Sequence, residues 1–504
     1  MSGPARGGAG SRRAPLAFGG WLAVIVGVYL LLGCLYAVRT PLWQAPDEPA
    51  HYNYAAYLAR EGRLPELQAG DYPAAYLEEL KARRFSPELS IASVRYEAHQ
   101  PPAYYVLAAG LLRLAPEAPV SEQLLWMRLL SVALGAVAVV LLALLARRLF
   151  GSRGLALGAA ALAAGNPMYV AITASANNDA LVVVVLGLVA LRLSAPPRRR
   201  WTPRASVLLG VLLGLCVLTK LQAYVALPLA AAALLWDVLV AHELSWRQAL
   251  RSGAWVVMAA AIVAGPWLVR NMLVYGWRDP LGLARHSAVV VGQLRTATLL
   301  AESGLGAYLG QLLRTTFQSY WGQFGWMAAP LPERAYLALG LLVLIGAVGL
   351  LTAALWRPGW LRRKRRLSAQ ARRGVALLVC WALLTLASFL WYNLQFVQFQ
   401  GRYLFPALAP LSIGLAYGLI AAVQRPWPAL VAVGAVGGAL LTVGLLRGDL
   451  PLFSLALCVA AACGLLAARR LPARWRWLAP YGAGLGLSAL AAYSLWTIIP
   501  TLTP

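Results

Sequence analysis

The sequence is poor in charged residues. Only 12% of its 504 residues are Asp, Glu, Lys or Arg, whereas soluble proteins carry about 25%. Apolar runs recur along the whole chain, and about 17 to 25 residues is the length a helix needs to cross a hydrocarbon core of roughly 30 Å. Lipid cannot satisfy backbone N–H and C=O groups, so such runs must be helical. The predicted fold class is an all-α polytopic membrane protein.

Cysteine is scarce as well. The five cysteines lie within apolar runs and show no CxxC spacing: Cys34, Cys216, Cys380, Cys458 and Cys463. This pattern argues against a disulfide framework or a cysteine-based metal site, and we interpret these side chains as small buried hydrophobes.

Acidic residues are few and unevenly placed, which leaves a net charge of +26. The positive-inside rule puts 26 of the 44 Lys and Arg residues in cytosolic loops, with only Asp237 and Glu243 as acids on that side. The basicity therefore reflects topology, and a nucleic-acid partner is not expected. We expect a cytosolic basic tail at 1–15, an outer carboxyl end and no soluble domain at either end.

Thirteen spans are predicted. They lie at about 16–38, 123–149, 155–173, from 180, 205–218, 224–240, 253–269, 335–356, 375–394, directly after 406, 429–446, 451–468 and 478–498. Short helices at roughly 48–61, at 73–84 and from Pro101 to about 114 are expected to lie along the membrane surface. A catalytic module at 16–425 would include outer loops 39–120 and 274–334, with 426–504 as scaffold. The aromatic stretch 320–326 is typical of an interfacial belt.

The polar motifs share one side of the predicted membrane. They are Asp47-Glu48, His99-Gln100, Asn178-Asp179, Lys220, Arg270-Asn271, Asp279 and Gln400-Gly401-Arg402-Tyr403. Carboxylates in the first outer loop and cations at later helix ends describe a site for an anionic headgroup and an acceptor hydroxyl or amine. Charges within spans mark transport paths. Such charges are nearly missing here, which argues against a transport path and leaves a transporter or flippase as the alternative hypothesis. A non-enzymatic scaffold for envelope assembly is a third hypothesis.

One carboxylate opposite arginines suits transfer from a phosphate leaving group. A general base takes the acceptor's proton while cations stabilise the phosphate, and Arg offers paired donors to phosphate oxygens. Two simpler interpretations stay open: Asp47 could merely cap the helix that begins near Pro49, and Lys220 could snorkel. His51 lies one turn after Asp47 and could share a proton or a metal with it, or be structural.

Four segments carry a family resemblance: Pro46-Asp47-Glu48-Pro49-Ala50-His51, then His99-Gln100-Pro101-Pro102-Ala103-Tyr104-Tyr105, Arg270-Asn271 with Tyr275-Gly276, and Gln400-Gly401-Arg402-Tyr403. Over residues 16–425 the chain resembles bacterial membrane proteins related to the GT-C glycosyltransferases, the superfamily of protein O-mannosyltransferases and the lipid A aminoarabinose transferase. The resemblance implies an inverting transferase with a catalytic Asp in the first outer loop. It would take a sugar from a polyprenyl phosphate carrier at the outer face of the bacterial cytoplasmic membrane.

The resemblance also implies roles for individual residues. Asp47 would be the general base, with Glu48 as its acidic neighbour and Asp179, or less securely Asp279, as the second acid. Donor phosphate binding falls to Arg402, Arg270, Lys220 and Tyr403, and substrate binding to His51, His99, Gln100, Tyr104, Asn178 and Gln400. The acceptor would be a lipid, a glycan or a protein. No DxD pair stands in the first loop, so a divalent metal is left open and no other cofactor is expected.

Overall fold

The computed structural model describes residues 18–355 and 368–503, which form twenty α-helices and one small hairpin. The helices are α1 Phe18–Arg39, α2 Glu48–Glu61, α3 Ala74–Ala82, α4 Ala103–Leu112, α5 Val120–Phe150, α6 Arg153–Gly165, α7 Pro167–Thr173, α8 Asp179–Leu193, α9 Pro197–Arg200, α10 Pro203–Val217, α11 Ala226–Leu239, α12 Trp246–Tyr275, α13 Leu283–Val289, α14 Thr296–Trp321, α15 Glu333–Leu355, α16 Ala369–Asn393, α17 Leu408–Gln424, α18 Pro426–Arg447, α19 Leu452–Arg470 and α20 Leu478–Thr497. The predicted basic tail 1–15 and the arginine-rich stretch 362–366 lie outside the described residues.

Five 3-10 helices complete the helical structure of the described chain. They are Tyr96–His99, Leu221–Val225, Gly401–Ala407, Ala473–Trp475 and Ile499–Leu502. The hairpin pairs β1 Gln323–Phe324 with β2 Ala329–Pro330 in antiparallel register.

The membrane-spanning helices confirm the predicted fold class. Within residues 18–355 and 368–503, ten helices are long and apolar enough to cross a membrane, and α6 with α7 forms an eleventh, bent candidate. The two remaining predicted spans correspond to α8 and α10, each of 15 residues. All thirteen predicted spans thus fall on helical segments of a multi-pass membrane protein.

The bend between α6 and α7 brings a polar turn to the end of the bundle at which α2 begins. The two helices meet at 66°, because Pro167 cannot donate a backbone hydrogen bond and Asn166 caps α7 by accepting from the N–H of Tyr169 at 3.0 Å. The chain then runs through Ser175-Ala176-Asn177-Asn178 into α8. The bend therefore positions Asp179, the first residue of α8.

Helices differ in how deeply they sit in the bundle. The most apolar segment of α5 is 61% buried within the protein, whereas the most apolar segment of α19 is only 11% buried. The outward faces of α18 and α19 are apolar, as expected of surfaces in contact with lipid acyl chains. Helix α20 is different, because the Tyr36 hydroxyl of α1 donates to the Ala491 carbonyl at 2.8 Å. The last helix is packed into the main bundle, and a scaffold role for 426–504 stays a prediction.

Helices α15 and α17 approach each other through glycine. A Cβ atom at Gly418 would lie 2.0 Å from the Gly346 carbonyl oxygen. Small residues allow helix backbones in a membrane to come this close. The contact fixes α17, and with it the preceding 3-10 helix Gly401–Ala407.

The first outer loop is a folded cap. The segments predicted as short helices at 48–61, 73–84 and 101–114 contain α2, α3 and α4, and their position along the membrane surface stays a prediction. The Asn53 amide donates to the carbonyls of Ile91 and Val94 at 2.7 and 2.8 Å. Arg113 at the end of α4 donates to the carbonyls of Leu58 and Ala59. These bonds close the loop on itself above the helix ends.

The second outer loop, 274–334, packs against this cap. The Trp326 indole donates to the Trp43 carbonyl at 2.9 Å, and its ring lies parallel to that of Phe85 at 5.9 Å. Trp321 is buried. Trp326 therefore packs between the two loops, and the interfacial-belt interpretation of 320–326 stays a prediction.

A buried ion-pair network marks the opposite end of the bundle. Asp237 in α11 contacts Arg200 at 2.6 Å and Arg373 at 2.8 Å, and the Trp201 indole donates to it at 2.7 Å. Arg200 also meets Glu243 at 3.2 Å. Both acids predicted for the inner side are thus paired with arginines of that side.

Candidate active site

Asp47 occupies the turn between α1 and α2 in a left-handed conformation, with φ of 66°. This region costs a non-glycine residue about 1 to 3 kcal/mol and is often found at functional sites. Its side chain makes no cap hydrogen bond to α2. Instead, one carboxylate oxygen accepts from the Tyr96 hydroxyl at 2.7 Å and the other contacts the Arg402 guanidinium. The capping interpretation of Asp47 is wrong.

Arg402 is held by a close packing of backbones. Gly401 lies so near α14 that a Cβ atom there would stand 2.3 Å from the Tyr320 nitrogen. The Gly401 N–H also donates to the Ser319 hydroxyl at 2.7 Å. The Arg402 side chain, only 3% exposed, reaches Asp47 and lies 3.9 Å from Asp179. Its Nε has no hydrogen-bond partner in the described chain.

Asp179 and Lys220 form the second ion pair of the site. The Asp179 N–H donates to the Asn177 side-chain oxygen at 2.8 Å, which fixes the start of α8. Its carboxylate receives the Lys220 ammonium at 2.5 Å. Lys220 is buried, so the snorkelling interpretation is wrong. The other Asp179 carboxylate oxygen and the Asn178 side-chain oxygen lack hydrogen-bond partners among residues 18–355 and 368–503.

Glu48 does not face this cluster's cations. It is fully buried against Arg128 of α5, with bonds of 2.8 and 2.6 Å, and it accepts from the Ala176 N–H at 3.1 Å. Arg128 also donates to the carbonyls of Ala37 and Thr40. Through these bonds Glu48 ties α2 to the turn before Asp179, and its predicted catalytic role stays a prediction. A lone Arg inside the second predicted span was the sequence signal for this partner.

Glu97 is a carboxyl group that the sequence analysis left without a role. It lies in the 3-10 helix Tyr96–His99, and its Oε2 is buried without a hydrogen-bond partner in the described part of the chain. Its charged neighbours are His51, Asp47 and Lys220. The His51 Nδ1 and the Tyr105 hydroxyl share a hydrogen bond of 2.7 Å. The only signal for Glu97 was an acid in the polar run before His99.

The carboxyl groups of Asp47 and Glu97 have opposite electrostatic environments. Burial alone would raise the pKa of Asp47, but Arg402, His51 and the Tyr96 hydroxyl outweigh it and lower the pKa to about 2. Burial raises the pKa of Glu97, and the Asp47 charge adds to this against the opposing effect of His51. Burial also lowers the pKa of His51. Two acids with divergent pKa values are a common arrangement for acid–base chemistry.

Three predicted residues border the ion-pair cluster. The Arg402 guanidinium lies 5.4 Å from the Tyr403 ring centre. The Asn178 amide donates to the Gln100 side-chain oxygen and to the Thr219 carbonyl, both at 3.5 Å. Asn178, Gln100 and Tyr403 therefore surround Asp179 and Arg402.

Four predicted residues make their contacts elsewhere. Arg270 donates to the carbonyls of Leu64 and Pro65. Tyr104 is fully buried and bonded to Ser131 at 3.0 Å. The other two are Gln400, which donates to Gln398, and His99, whose ring lies 4.4 Å from that of His286. A buried tyrosine and an arginine engaged with loop carbonyls are not placed to meet a donor phosphate at Arg402.

Asp279 is likewise engaged locally. Its carboxylate accepts from the backbone N–H groups of Ala284 and Arg285 at 3.1 and 2.8 Å, so it caps α13. Asp179 is the second acid that the fold brings to Asp47. Among the described residues no group of three or more His, Cys, Asp or Glu side chains is arranged to hold a metal ion.

One protein family matches part of the chain. Residues 99–269 match the family described as dolichyl-phosphate-mannose-protein mannosyltransferase. The matched segment contains Asp179 and Lys220, whereas Asp47 and Arg402 lie outside it. No curated protein matches the chain significantly by sequence.

Solved structures agree on the fold. The chain is similar to ArnT from Cupriavidus metallidurans bound to undecaprenyl phosphate, with a TM-score of 0.52, 16% identity and coverage of 96% of this chain and 79% of that one. The apo structure of ArnT has a TM-score of 0.52 and 16% identity, and the match covers 95% of this chain and 77% of that one. The apo form of the Archaeoglobus fulgidus oligosaccharyltransferase has a TM-score of 0.47 and 14% identity, and the match covers 93% of this chain and 56% of that one. The chain therefore has the fold of ArnT.

Proposed function

We propose that this protein is a membrane glycosyltransferase that moves a sugar from a polyprenyl phosphate carrier to an acceptor at the outer face of the cytoplasmic membrane. One observation carries the proposal. Asp47, Arg402, Asp179 and Lys220 form a cluster at one end of the bundle in which both cations are buried, yet the Arg402 Nε and one Asp179 oxygen have no hydrogen-bond partner in the described chain. Buried polar groups are normally satisfied, so these atoms point to a ligand.

The donor phosphate belongs at the cationic end of the cluster. Arg402 and Lys220 are the buried cations there, and the vacant Nε of Arg402 can donate to a phosphate oxygen. Charge-assisted bonds of this kind are stronger than neutral ones. The similar structure of ArnT, which is bound to undecaprenyl phosphate, supports a lipid phosphate.

The reaction then follows as an inverting displacement. An acceptor hydroxyl or amine attacks the anomeric carbon, the bond from that carbon to the phosphate oxygen breaks, and the phosphate leaves with the electron pair. The acceptor's proton passes to Asp47. Arg402 turns from Asp47 toward the incoming phosphate, which removes the strongest interaction that keeps the Asp47 carboxylate a weak base. Donor binding thereby makes the Asp47 carboxylate a stronger base.

Carrier turnover tests this proposal. Purified protein in lipid nanodiscs is incubated with a panel of radiolabelled polyprenyl-phosphate sugars and a membrane extract that supplies acceptors. We expect release of polyprenyl phosphate and appearance of label in an acceptor for at least one donor. The same donors in proteoliposomes distinguish the alternative, because movement of intact donor across the bilayer without release would identify a flippase and reject the transferase.

The outer orientation of the site gives a second prediction. Ser90 in the first outer loop and Ser368 before α16 are both exposed. In a variant without the five native cysteines, Ser90→Cys should react with a membrane-impermeant maleimide on intact cells. Ser368→Cys should react only after the membrane is opened. The reverse pattern would place Asp47 and Arg402 on the cytosolic side and reject an outer-face site.

A further inference from the structure

A closed circuit of contacts connects the ion-pair cluster with the first outer loop. Arg402 contacts Asp47 and lies 3.9 Å from Asp179. The Asp47 carboxylate accepts from the Tyr96 hydroxyl at 2.7 Å, and Glu97 is the next residue of the same 3-10 helix. One side of the circuit therefore runs from the ion pairs to Glu97.

The circuit closes through Gln100. Its backbone N–H donates to the Glu97 carbonyl at 2.9 Å, and its side-chain oxygen accepts from the Asn178 amide at 3.5 Å. Asn178 directly precedes Asp179, which returns the circuit to the ion pairs. Glu97 and Asn178 are thus both joined to the cluster by short contacts on each side.

Members of this circuit carry an unusual share of unsatisfied atoms. Twelve buried side-chain atoms in the described residues have no hydrogen-bond partner, and four of them belong to the circuit: Glu97 Oε2, Asn178 Oδ1, Asp179 Oδ2 and Arg402 Nε. Buried polar groups are normally satisfied. A concentration of four such atoms on residues in mutual contact indicates a bound molecule.

The chemistry of these atoms defines that molecule. Carboxylate and amide oxygens accept hydrogen bonds, whereas the Arg402 Nε donates one. A ligand that satisfies all four atoms therefore supplies one acceptor and three donors. A phosphate oxygen is an acceptor and sugar hydroxyls are donors, so a sugar joined to a phosphate offers both in one molecule.

We propose that Glu97 and Asn178 form the donor-sugar subsite, in which Glu97 Oε2 and Asn178 Oδ1 accept hydrogen bonds from two different hydroxyls of an uncharged sugar. The inference rests on the proposed transferase function and adds the residues that select the sugar. The phosphate of the same donor binds at the Arg402 Nε. A third sugar hydroxyl or the acceptor hydroxyl supplies the donor for Asp179.

Charge restricts the class of sugar. Asp47 and Asp179 each contact a cation, whereas no ion pair of Glu97 occurs in the described chain. The donor phosphate brings a further negative charge to the cluster. An acidic sugar would add a carboxylate beside Glu97, and like charges at such a distance disfavour each other. The subsite therefore suits hydroxyl-bearing sugars and rejects uronic acids.

Donors that lack one hydroxyl test the Glu97 contact. For a polyprenyl-phosphate sugar that the protein turns over, a series of deoxy donors is compared with the parent. Glu97→Met, which removes the acceptor at similar size, should lower kcat/KM for the parent about 10- to 100-fold, the range for losing a hydrogen bond to a charged group. One deoxy donor should show a similar loss with the wild type. That donor with Glu97→Met should lose no more than either change alone.

Asn178 gives a second, independent test of the same kind. Asn178→Ala should lower kcat/KM for the parent donor about 2- to 10-fold, as expected for a neutral hydrogen bond. Its loss should coincide with that of a different deoxy donor. Losses that multiply for every deoxy donor, at Glu97 or at Asn178, would overturn the inference, because neither side chain would then share a contact with a hydroxyl.

Stability and carrier binding separate sugar recognition from a structural role. A buried polar atom without a hydrogen bond destabilises the empty protein, so Glu97→Met should not lower the melting temperature. It should also bind undecaprenyl phosphate, which carries no sugar, like the wild type. Glu61→Met, at the exposed end of α2, is the matched control. A lower melting temperature together with weaker binding of undecaprenyl phosphate would overturn the inference.

Two further results complete the test. Glu97→Gln leaves a neutral acceptor, so its kcat/KM should lie between those of the wild type and Glu97→Met, with the same deoxy donor showing the coupling. Preferred turnover of a uronic acid donor would overturn the inference. Absence of carrier release from every donor would instead reject the proposed function, and the donor-sugar subsite with it.

Discussion

Asp47→Asn should lower the rate of glycosyl transfer by about 10²- to 10⁴-fold, the usual contribution of a general base. The substitution keeps the shape of the side chain and an oxygen that can accept from Tyr96, but it removes the basicity. Asp47 makes no cap hydrogen bond, so loss of a cap cannot account for the effect. Steady-state release of polyprenyl phosphate at saturating donor measures the rate.

Two matched variants separate chemistry from structure. Tyr96→Phe removes one hydrogen bond to Asp47 and leaves the carboxylate, so its effect on rate should be much smaller. Glu48→Gln alters the adjacent acid, which is buried against Arg128. Breaking a buried ion pair costs about 3 to 5 kcal/mol, so this variant should lose thermal stability. The fraction of the protein that stays folded should still transfer the sugar. Near-normal transfer by Asp47→Asn would make Asp179 the next candidate base.

The lowered pKa of Asp47 also has a consequence for stability. Its folded-state pKa of about 2 lies below the unfolded value of 3.8. A depressed carboxyl pKa stabilises the fold above the unfolded pKa, and this stabilisation is lost as pH falls from about 4 toward about 2. At neutral pH the group is ionised. At neutral pH the ion pair with Arg402 is therefore intact before the donor binds.

The helices were predictable because lipid imposes simple rules. A run such as 16–38 has to be helical to satisfy its backbone, and Pro49 and Pro101 marked the starts of short helices. The bend at Asn166 was missed because α6 and α7 form one apolar run, and only the geometry of Pro167 separates them. The packing of Trp326 on the first loop was missed for another reason, since hydropathy cannot distinguish an aromatic ring at the membrane interface from one in a joint.

Some members of the candidate site could be predicted from the sequence, but the pairings between them could not. Asp47 and Arg402 stand 355 residues apart, and no local pattern says that they touch. The same pattern put Glu48 beside Asp47 as a second catalytic acid, yet adjacent residues at a helix start point in different directions. Arg128 and Glu97 were overlooked because neither belongs to a motif. Their importance follows from burial and from missing or matched partners, which only the folded chain provides.

The second prediction with a large expected effect concerns substitution of Arg402. Arg402→Ala should weaken binding of undecaprenyl phosphate by about 10- to 100-fold, because a hydrogen bond to a charged group contributes about 1.5 to 3 kcal/mol. Arg402→Lys should recover only part of the loss, since an ammonium cannot reproduce the guanidinium's paired donors. Native mass spectrometry or tryptophan quenching with the lipid measures the affinity. Arg314→Ala, at an exposed ion pair with Glu333, is the control and should bind normally.

The difficulty is that Arg402→Ala also leaves Asp47 and Asp179 without their shared cation, so the protein could lose binding by losing stability. Unpairing a buried charge costs about 3 to 5 kcal/mol, less for the partly exposed Asp47. A double variant, Asp47→Asn with Arg402→Ala, removes both members of the pair and should recover much of the melting temperature. If Arg402 binds the donor phosphate, the double variant should still bind the carrier weakly. Recovery of affinity along with stability would show that Arg402 only pairs with Asp47, and Lys220 would become the phosphate ligand to test.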